Sequence, residues 1–197
     1  MTGISVFSKR PARLAGLFGR FARENRGVTT IEFAMVAGPF FLLVLSIMTI
    51  GTQFLTLHSL ENGVSEASRK IRTGEAQTAG LNLGAFRQLV CSSAGSFISC
   101  DAHLVVHVKS ATSFAGLVPP PTCTTNGNLT PSTGAATDAL SASAGQENMK
   151  VMVVACYDWE AGVGLWQILW NLVSPTPAVQ GKTVLSAAAV FQTEPYK

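Results

Sequence analysis

The chain has 197 residues, which is enough for one membrane-spanning segment and one modest soluble domain. Its net charge of +3 is unevenly distributed: residues 1–27 carry six basic groups and one acidic group, whereas residues 28–197 carry eight basic and ten acidic groups. A nucleic-acid-binding arm would explain the basic first segment but not the long apolar run that follows it. Nucleic acid is therefore excluded as the expected partner.

Residues 1–27 are predicted to be a basic cytoplasmic leader. Lysine and arginine next to a hydrophobic span stay on the cytoplasmic side of a membrane, so these charges also predict the topology. Everything after residue 57 is then expected to lie outside the cytoplasm.

Residues 28–57 are predicted to form a transmembrane helix. No Asp, Glu, Lys or Arg occurs from Phe33 to Leu60. The stretch from Phe33 to Leu57 would rise about 37 Å as a helix, enough to cross a hydrocarbon core of roughly 30 Å. It is too long for the apolar region of a secretory signal peptide, and no small-x-small cleavage site follows it. We therefore expect one membrane span in contact with lipid, bent at Pro39.

The helix is expected to continue outside the membrane over residues 58–75. Apolar residues recur there at spacings of three and four, the period of one helix face; they are Leu57, Leu60, Val64, Ala67 and Ile71. Gly74 follows three basic residues and is a plausible end of the helix. The apolar stripe must pack on something, and both the following domain and a neighbouring subunit remain open.

Residues 76–197 are predicted to form a small extracytoplasmic domain. A short helix is expected around Phe86–Val90, and three segments have strand composition; they are Ala102–Val108, Met149–Tyr157 and Thr183–Gln192. Such strands suggest a small antiparallel sheet that packs one face on the helix. The predicted fold class is α+β, with a long N-terminal transmembrane helix extending into a small antiparallel β-sheet domain.

Four cysteines, Cys91, Cys100, Cys123 and Cys156, fall in the part expected outside the cytoplasm, where disulfides persist. They allow three pairings, and the sequence alone does not choose among them. The short loop between Cys91 and Cys100 makes this pair our first choice, which leaves Cys123 with Cys156. Metal binding is the alternative, but the absence of a Cys-x-x-Cys pair favours disulfides.

Two further segments have distinctive composition. Residues 119–146 are rich in Pro, Thr, Gly, Ser and Ala and are predicted to be a flexible loop pinned at Cys123. Leu165–Val173 is strongly apolar and contains Trp166 and Trp170. These tryptophans could belong to the core, to an exposed contact or to a membrane-surface anchor, and the sequence leaves their role open.

No catalytic constellation is found, so the chain is not expected to be an enzyme or to carry a cofactor or metal. Gly181–Thr183 resembles the end of a phosphate-binding loop, but Thr176 stands where the first glycine is needed. His103 and His107 share a predicted strand face with Asp101. The two histidines would be roughly 13 Å apart, too far to bind one ion, and are expected to be solvated.

The most informative motif runs from Gly27 to Phe33. A glycine is followed by an apolar helix start with a lone carboxylate, Glu32, five residues after it and an aromatic residue next. This pattern resembles the processing site of type IV pilin-like proteins and is especially similar to the tight-adherence (Tad) group. By this motif the chain resembles TadE-like proteins. The resemblance implies cleavage after Gly27, which makes Val28 the new N-terminus.

The resemblance extends beyond the motif. Leu60–Thr73 resembles the polar, Arg-containing segment that follows the span in TadE-like proteins. The paired Cys91 and Cys100 before a strand and the closing residues Val190–Tyr196 also resemble members of that family. Coverage is patchy over residues 110–148, and the chain is too short for the large extra domain of TadG-like relatives.

The resemblance implies a structural role. A prepilin peptidase would cut between Gly27 and Val28 at the bacterial inner membrane, leaving the disulfide-stapled, pilin-like domain in the periplasm or, within a pilus, outside the cell. The chain would be a minor pilin or pseudopilin whose partners are other pilin-like subunits and Tad assembly proteins. These expectations depend on the four residues that match the family motif, Gly27, Val28, Glu32 and Phe33.

Physical chemistry explains why Glu32 would need a cationic partner. An unpaired carboxylate in apolar surroundings is strongly disfavoured, and cleavage would release the ammonium of Val28 one helical turn away. Pairing Glu32 with the free N-terminus of a neighbouring subunit would remove that penalty. The alternative function is a signal-anchored periplasmic binding module that keeps its leader, or a pilus-tip adhesin.

Overall fold

The computed structural model describes residues 28–96, 98–132, 134–144, 146–159 and 183–195. The chain divides into two compact units, Met1–Met48 and Thr49–Lys197. The predicted leader with Gly27 and the apolar segment with Trp166 and Trp170 lie outside the described residues. The helices are α1 Val28–Arg72, α2 Glu75–Thr78, α3 Leu83–Ala94, α4 Cys100–His103 and α5 Leu140–Ala144, with a 3₁₀ turn at Phe114–Leu117. The strands are β1 Leu104–Ala111, β2 Thr124–Thr125, β3 Asn128–Leu129, β4 Lys150–Trp159 and β5 Thr183–Gln192.

Helix α1 ends as the sequence predicts. Three basic residues, Arg69, Lys70 and Arg72, occupy its last turn, where they complement the helix dipole. Gly74 follows in a left-handed conformation, with φ of 77°, which a residue without a side chain adopts readily. The amide of Gly74 donates to the carbonyl of Ile71 at 3.1 Å and closes the helix.

Three strands form one antiparallel sheet in the order β1-β4-β5, which confirms the predicted α+β fold. In this sheet Leu104 lies opposite Tyr157, and Val151 lies opposite Phe191. Strand β1 begins two residues later than predicted, because Cys100–His103 form the helical turn α4. His103 is therefore at the end of a helix and not on a strand.

The core joins one face of the sheet to α1 and α3. The apolar stripe of α1 is almost completely buried, with exposures of 0 to 1% for Leu60, Val64, Ala67 and Ile71. These residues belong to the same cluster as Phe86 and Val90 of α3 and Val151, Val153 and Ala155 of β4. Of the two partners left open by the sequence, the stripe thus packs on the following domain.

The opposite face of the sheet is also covered over β1 and β4, which corrects the expectation for His107. The 3₁₀ turn contacts both strands and contributes Leu117, which is 1% exposed. Lys109 Nζ donates to the carbonyl of Leu117 at 3.2 Å, which fixes the 3₁₀ turn against this face of the sheet. His107 lies two residues before Lys109 in β1 and is 1% exposed, so it is not a solvated strand residue.

The segment predicted as a flexible loop, residues 119–146, contains more regular structure than its composition indicates. Strands β2 and β3 form a small hairpin, and α5 buries Leu140 completely. The amide of Leu140 donates to the carbonyl of Leu81 at 2.9 Å. Leu140 is one of two leucines in this segment, and it attaches α5 to the core.

Candidate functional site

The residues predicted to drive assembly lie at the start of α1. Val28 is the first helical residue, and Glu32 and Phe33 follow in the next turn. Glu32 is exposed, and it is the only Asp, Glu, Lys or Arg in the sequence between Val28 and Leu60. Four residues of helix correspond to a rise of about 6 Å, so the N-terminal nitrogen of Val28 would lie one turn from the Glu32 carboxylate.

The surface around Glu32 is strongly apolar and exposed. Phe33 is 71% exposed, and Met35 is 75% exposed. Among the described helices, one is long and apolar enough to cross a membrane by length and composition; it spans Thr29–Arg72, and none of its most apolar window is buried by the rest of the protein. An exposed apolar surface of this size is typical of segments that contact lipid or another protein surface.

Hydroxyl groups inside the apolar part of α1 are satisfied by the helix itself. Ser46 Oγ donates to the carbonyl of Leu42 at 2.8 Å, and Thr52 Oγ1 donates to the carbonyl of Thr49 at 2.9 Å. Such bonds let serine and threonine occupy a membrane helix without a buried unpaired group. The polar residues of this segment are therefore compatible with a membrane span.

All four cysteines are paired in the structure. Cys91 at the end of α3 binds Cys100 at the start of α4, with a Cα–Cα distance of 6.0 Å. Cys123 binds Cys156 of β4 across a Cα–Cα distance of 5.4 Å. The second disulfide attaches the segment that follows the 3₁₀ turn to β4, the central strand of the sheet. Cys156 is completely buried there.

The residues that follow β5 are attached both to the segment before β4 and to the end of α1, by contacts that sequence analysis missed. Thr193 is 1% exposed, and its hydroxyl donates to the carbonyl of Gln146 at 2.8 Å and accepts from the amide of Met149 at 3.0 Å. The amide of Glu194 donates to the carbonyl of Arg72 at 2.8 Å, and the two side chains form an ion pair at 3.0 Å. A lone threonine at a strand end gives no sequence signal for this role.

Sequence analysis also missed the solvent face of α1 beyond the apolar segment. Polar residues recur there at spacings of three and four, opposite the buried stripe, and this periodicity was the available signal. Five of them have side chains that are more than half exposed; they are His58, Glu61, Glu66, Arg69 and Arg72.

The histidines considered as metal ligands are separated by the fold. His103 ends helix α4, whereas His107 is buried in β1. Burial lowers the pKa of His107 below its ordinary value of 6.5, because the charged imidazolium loses its hydration. In the described part of the chain, no group of three or more His, Cys, Asp or Glu side chains could hold a metal ion.

Comparison with known proteins finds a family model that matches part of the chain. Residues 27–69 match the family model described as TadE-like protein, which confirms the recognition made from the sequence. The matched segment includes the Gly27–Phe33 motif and most of α1, while Cys91, Cys100 and the closing residues lie outside it. No curated protein and no solved structure matches the chain.

Proposed function

Because its N-terminal segment is TadE-like, we propose that this chain is a pilin-like structural subunit of a Tad pilus assembly or secretion system, as a minor pilin or pseudopilin. The observation that carries the proposal is the coincidence of the matched segment, residues 27–69, with an exposed apolar helix of membrane-spanning length. The role is assembly through this helix, and no reaction is catalysed.

The proposed organisation follows from that role. Residues 1–27 are a cytoplasmic leader removed by a prepilin peptidase between Gly27 and Val28. Residues 28–57 span the bacterial inner membrane, residues 58–75 continue the helix outside it, and residues 76–197 form the periplasmic domain. When the subunit leaves the membrane, the exposed apolar face of α1 exchanges lipid for the helices of other pilin-like subunits.

Glu32 has a specific place in this mechanism. A bundle of apolar helices offers a carboxylate no water, so its charge must be compensated by a cation. The ammonium of Val28 on a neighbouring subunit becomes available only after the leader is removed. Their pairing links processing to assembly and sets the axial position of one subunit against the next.

Mass spectrometry of the mature N-terminus tests the proposal. The protein isolated from cells with an intact prepilin peptidase gene should begin at Val28, and it should run roughly 27 residues longer when that gene is deleted. Gly27→Leu should block the cut, because a side chain at the cleavage position obstructs the protease. Gly38→Ala is the matched control, since nothing lies within 4 Å of the added carbon.

An unprocessed N-terminus as the sole form in peptidase-positive cells would contradict the pilin-like role. That result would support the alternative, a signal-anchored periplasmic binding module that keeps its leader.

A further inference from the structure

One face of the sheet brings a histidine close to a disulfide. Val106 belongs to the core that the sheet forms with α1, so His107, the next residue, projects from the opposite face. Strand pairing places His107 opposite Val154, and Val105 opposite Cys156. His107 and Cys156 are therefore diagonal neighbours on the same face, which we call the outer face. Such neighbours have Cα atoms about 7–8 Å apart, within reach of an aromatic ring.

His107 is buried on the outer face without a hydrogen-bond partner. Its exposure is 1%, and neither ring nitrogen has a partner among the described residues. A buried polar group that stays unpaired loses its hydration without compensation, and such groups are found at catalytic and redox sites. The nearby reactive group on this face is the Cys123–Cys156 disulfide.

The two sulfurs of this disulfide differ in their access to solvent. Cys156 is 0% exposed, whereas Cys123 is partly exposed. An external thiol or disulfide therefore reaches the sulfur of Cys123 but not that of Cys156. This difference sets the order of any exchange reaction: Cys123 reacts with external reagents, and Cys156 reacts only with Cys123.

We propose that Cys123 and Cys156 form a redox-reactive pair in the folded chain, in which His107 is the base that accepts the proton of Cys156. The Cys123 thiolate first attacks one sulfur of an external disulfide, and half of that disulfide leaves as a thiolate. The Cys156 thiol then passes its proton to a ring nitrogen of His107, attacks the sulfur of Cys123 and expels the other half. The imidazolium and the solvent return two protons to the leaving thiolates. Two protein thiols and one external disulfide thus give one intrachain disulfide and two released thiols.

The buried position of Cys156 explains why a base is needed. The thiolate is the nucleophile, and apolar surroundings raise the pKa of a thiol, so Cys156 alone would react slowly near neutral pH. Burial holds the pKa of His107 below 6.5, so above this pH its imidazole is neutral and can accept a proton. An adjacent imidazole in turn favours the thiolate form of a cysteine.

Two charged groups share the outer face of the described strands with His107. Lys109 follows His107 by two residues in β1, and Asp158 follows Cys156 by two residues in β4. The 3₁₀ turn, residues 118–131 and β5 contain no Asp, Glu, His, Lys or Arg. Variants at His107 leave both charged groups in place, so comparing them with the wild type isolates the effect of the imidazole.

The test measures the rate at which the disulfide closes. The full chain in detergent is reduced, freed of reductant and mixed with glutathione disulfide at a series of values between about pH 5.5 and pH 9. Samples are quenched by alkylation, and mass spectrometry quantifies the glutathione adducts and both intrachain bonds. The Cys91–Cys100 bond in the same molecules is the internal control, because its closure does not involve His107.

In the wild type, closure from the glutathione adduct of Cys123 should reach a plateau near neutral pH. His107→Gln and His107→Leu should slow this step about 100-fold at pH 7, the effect of losing a general base. Their rates should keep rising to pH 9, because the buried thiol must then ionise without help. Closure of Cys91–Cys100 should keep its wild-type rate.

Single cysteine variants test the order of the reaction. Cys156→Ser should accumulate glutathione on Cys123, whereas Cys123→Ser should leave Cys156 unmodified. The proposal is overturned if Cys156 takes up glutathione at a comparable rate, or if the His107 variants keep the wild-type pH profile. It also fails if the reduced wild type loses its near-ultraviolet circular dichroism, because the exchange is assigned to the folded chain. The pilin-like role is unaffected by these outcomes, since no step involves the N-terminal motif.

Discussion

At the scale of single residues, Glu32 is the most direct test of assembly. Glu32→Ala should reduce the amount of processed subunit in the sheared filament fraction at least several-fold, because the neighbouring Val28 ammonium loses its partner inside an apolar bundle. Quantitative immunoblotting of sheared and membrane fractions measures this effect. The control is Glu75→Gln, which removes a carboxylate that is 63% exposed and lies outside the apolar segment. Wild-type incorporation of Glu32→Ala would end the pairing hypothesis.

His107 predicts a pH dependence of stability. Its pKa is lowered in the folded chain by burial, and neither ring nitrogen has a hydrogen-bond partner among the described residues. Below about pH 6.5 the unfolded chain therefore binds a proton that the folded chain resists. The free energy of unfolding should be fully maintained above this pH and should fall as the pH drops from it towards the lowered pKa.

Thermal unfolding of the full chain in detergent between about pH 5 and pH 7.5 measures this dependence. His107→Leu should flatten the decline of the melting temperature with falling pH, because it removes the titrating group. His58→Gln is the control, since it removes an imidazole on an exposed helix face. The account of His107 is wrong if both variants keep the wild-type slope.

At the scale of elements, the contact between α1 and α3 depends on a glycine. A Cβ atom at Gly63 would lie 2.6 Å from the carbonyl oxygen of Val90 and 2.8 Å from Cβ of Ala94. Both are backbone or rigid atoms, so the helices must separate to admit a methyl group. Gly63→Ala should destabilise the domain by about 1–3 kcal/mol, as overpacking does.

Gly51→Ala is the matched control for this prediction, because the glycine lies in the same helix and nothing is within 4 Å of the added carbon. It should be neutral or slightly stabilising, since alanine favours a helix over glycine by about 1 kcal/mol. Denaturant unfolding of both variants provides the comparison. Equal stability of Gly63→Ala and the wild type would contradict the close packing of α1 on α3.

The main helices and strands could be predicted because the spacing of their apolar residues indicates which side of each element is buried. The three- and four-residue spacing from Leu60 to Ile71 indicates a one-sided helix, and the alternation of buried and exposed residues in β5 follows its strand period. The burial of His107 could not be predicted, because the contacts of the 3₁₀ turn with β1 and β4 exist only in the folded chain. The roles of Val28, Glu32 and Phe33 stay a prediction from the resemblance of the Gly27–Phe33 motif to a pilin-like processing site. The attachment through Thr193 gave no such signal, because it joins segments from distant parts of the chain.

At the scale of the whole molecule, the two disulfides should differ in their contribution to stability. They join residues 9 and 33 positions apart. Loop-closure entropy assigns about 2.6 kcal/mol to the shorter loop and about 3.7 kcal/mol to the longer one. The Cys123→Ala/Cys156→Ala double variant should therefore unfold at a lower denaturant concentration than Cys91→Ala/Cys100→Ala.

The buried position of Cys156 strengthens this order, because the longer link also attaches the segment around Cys123 to the central strand of the sheet. Denaturant titration of the two double variants, each as the full chain, gives the comparison. A larger loss on removing the Cys91–Cys100 bond would show that the outer layer holds without its covalent attachment.

The position of β5 has a consequence for biosynthesis. Of the described strands, β5 comes last in the sequence and completes the three-stranded sheet, and its Leu185 and Ala187 help to close the core. Until residue 195 has emerged from the ribosome, the partner edge of β4 remains open and the apolar stripe of α1 lacks part of its cover. A nascent or C-terminally shortened chain therefore exposes an unpaired strand edge and apolar side chains, which chaperones bind and which promote aggregation.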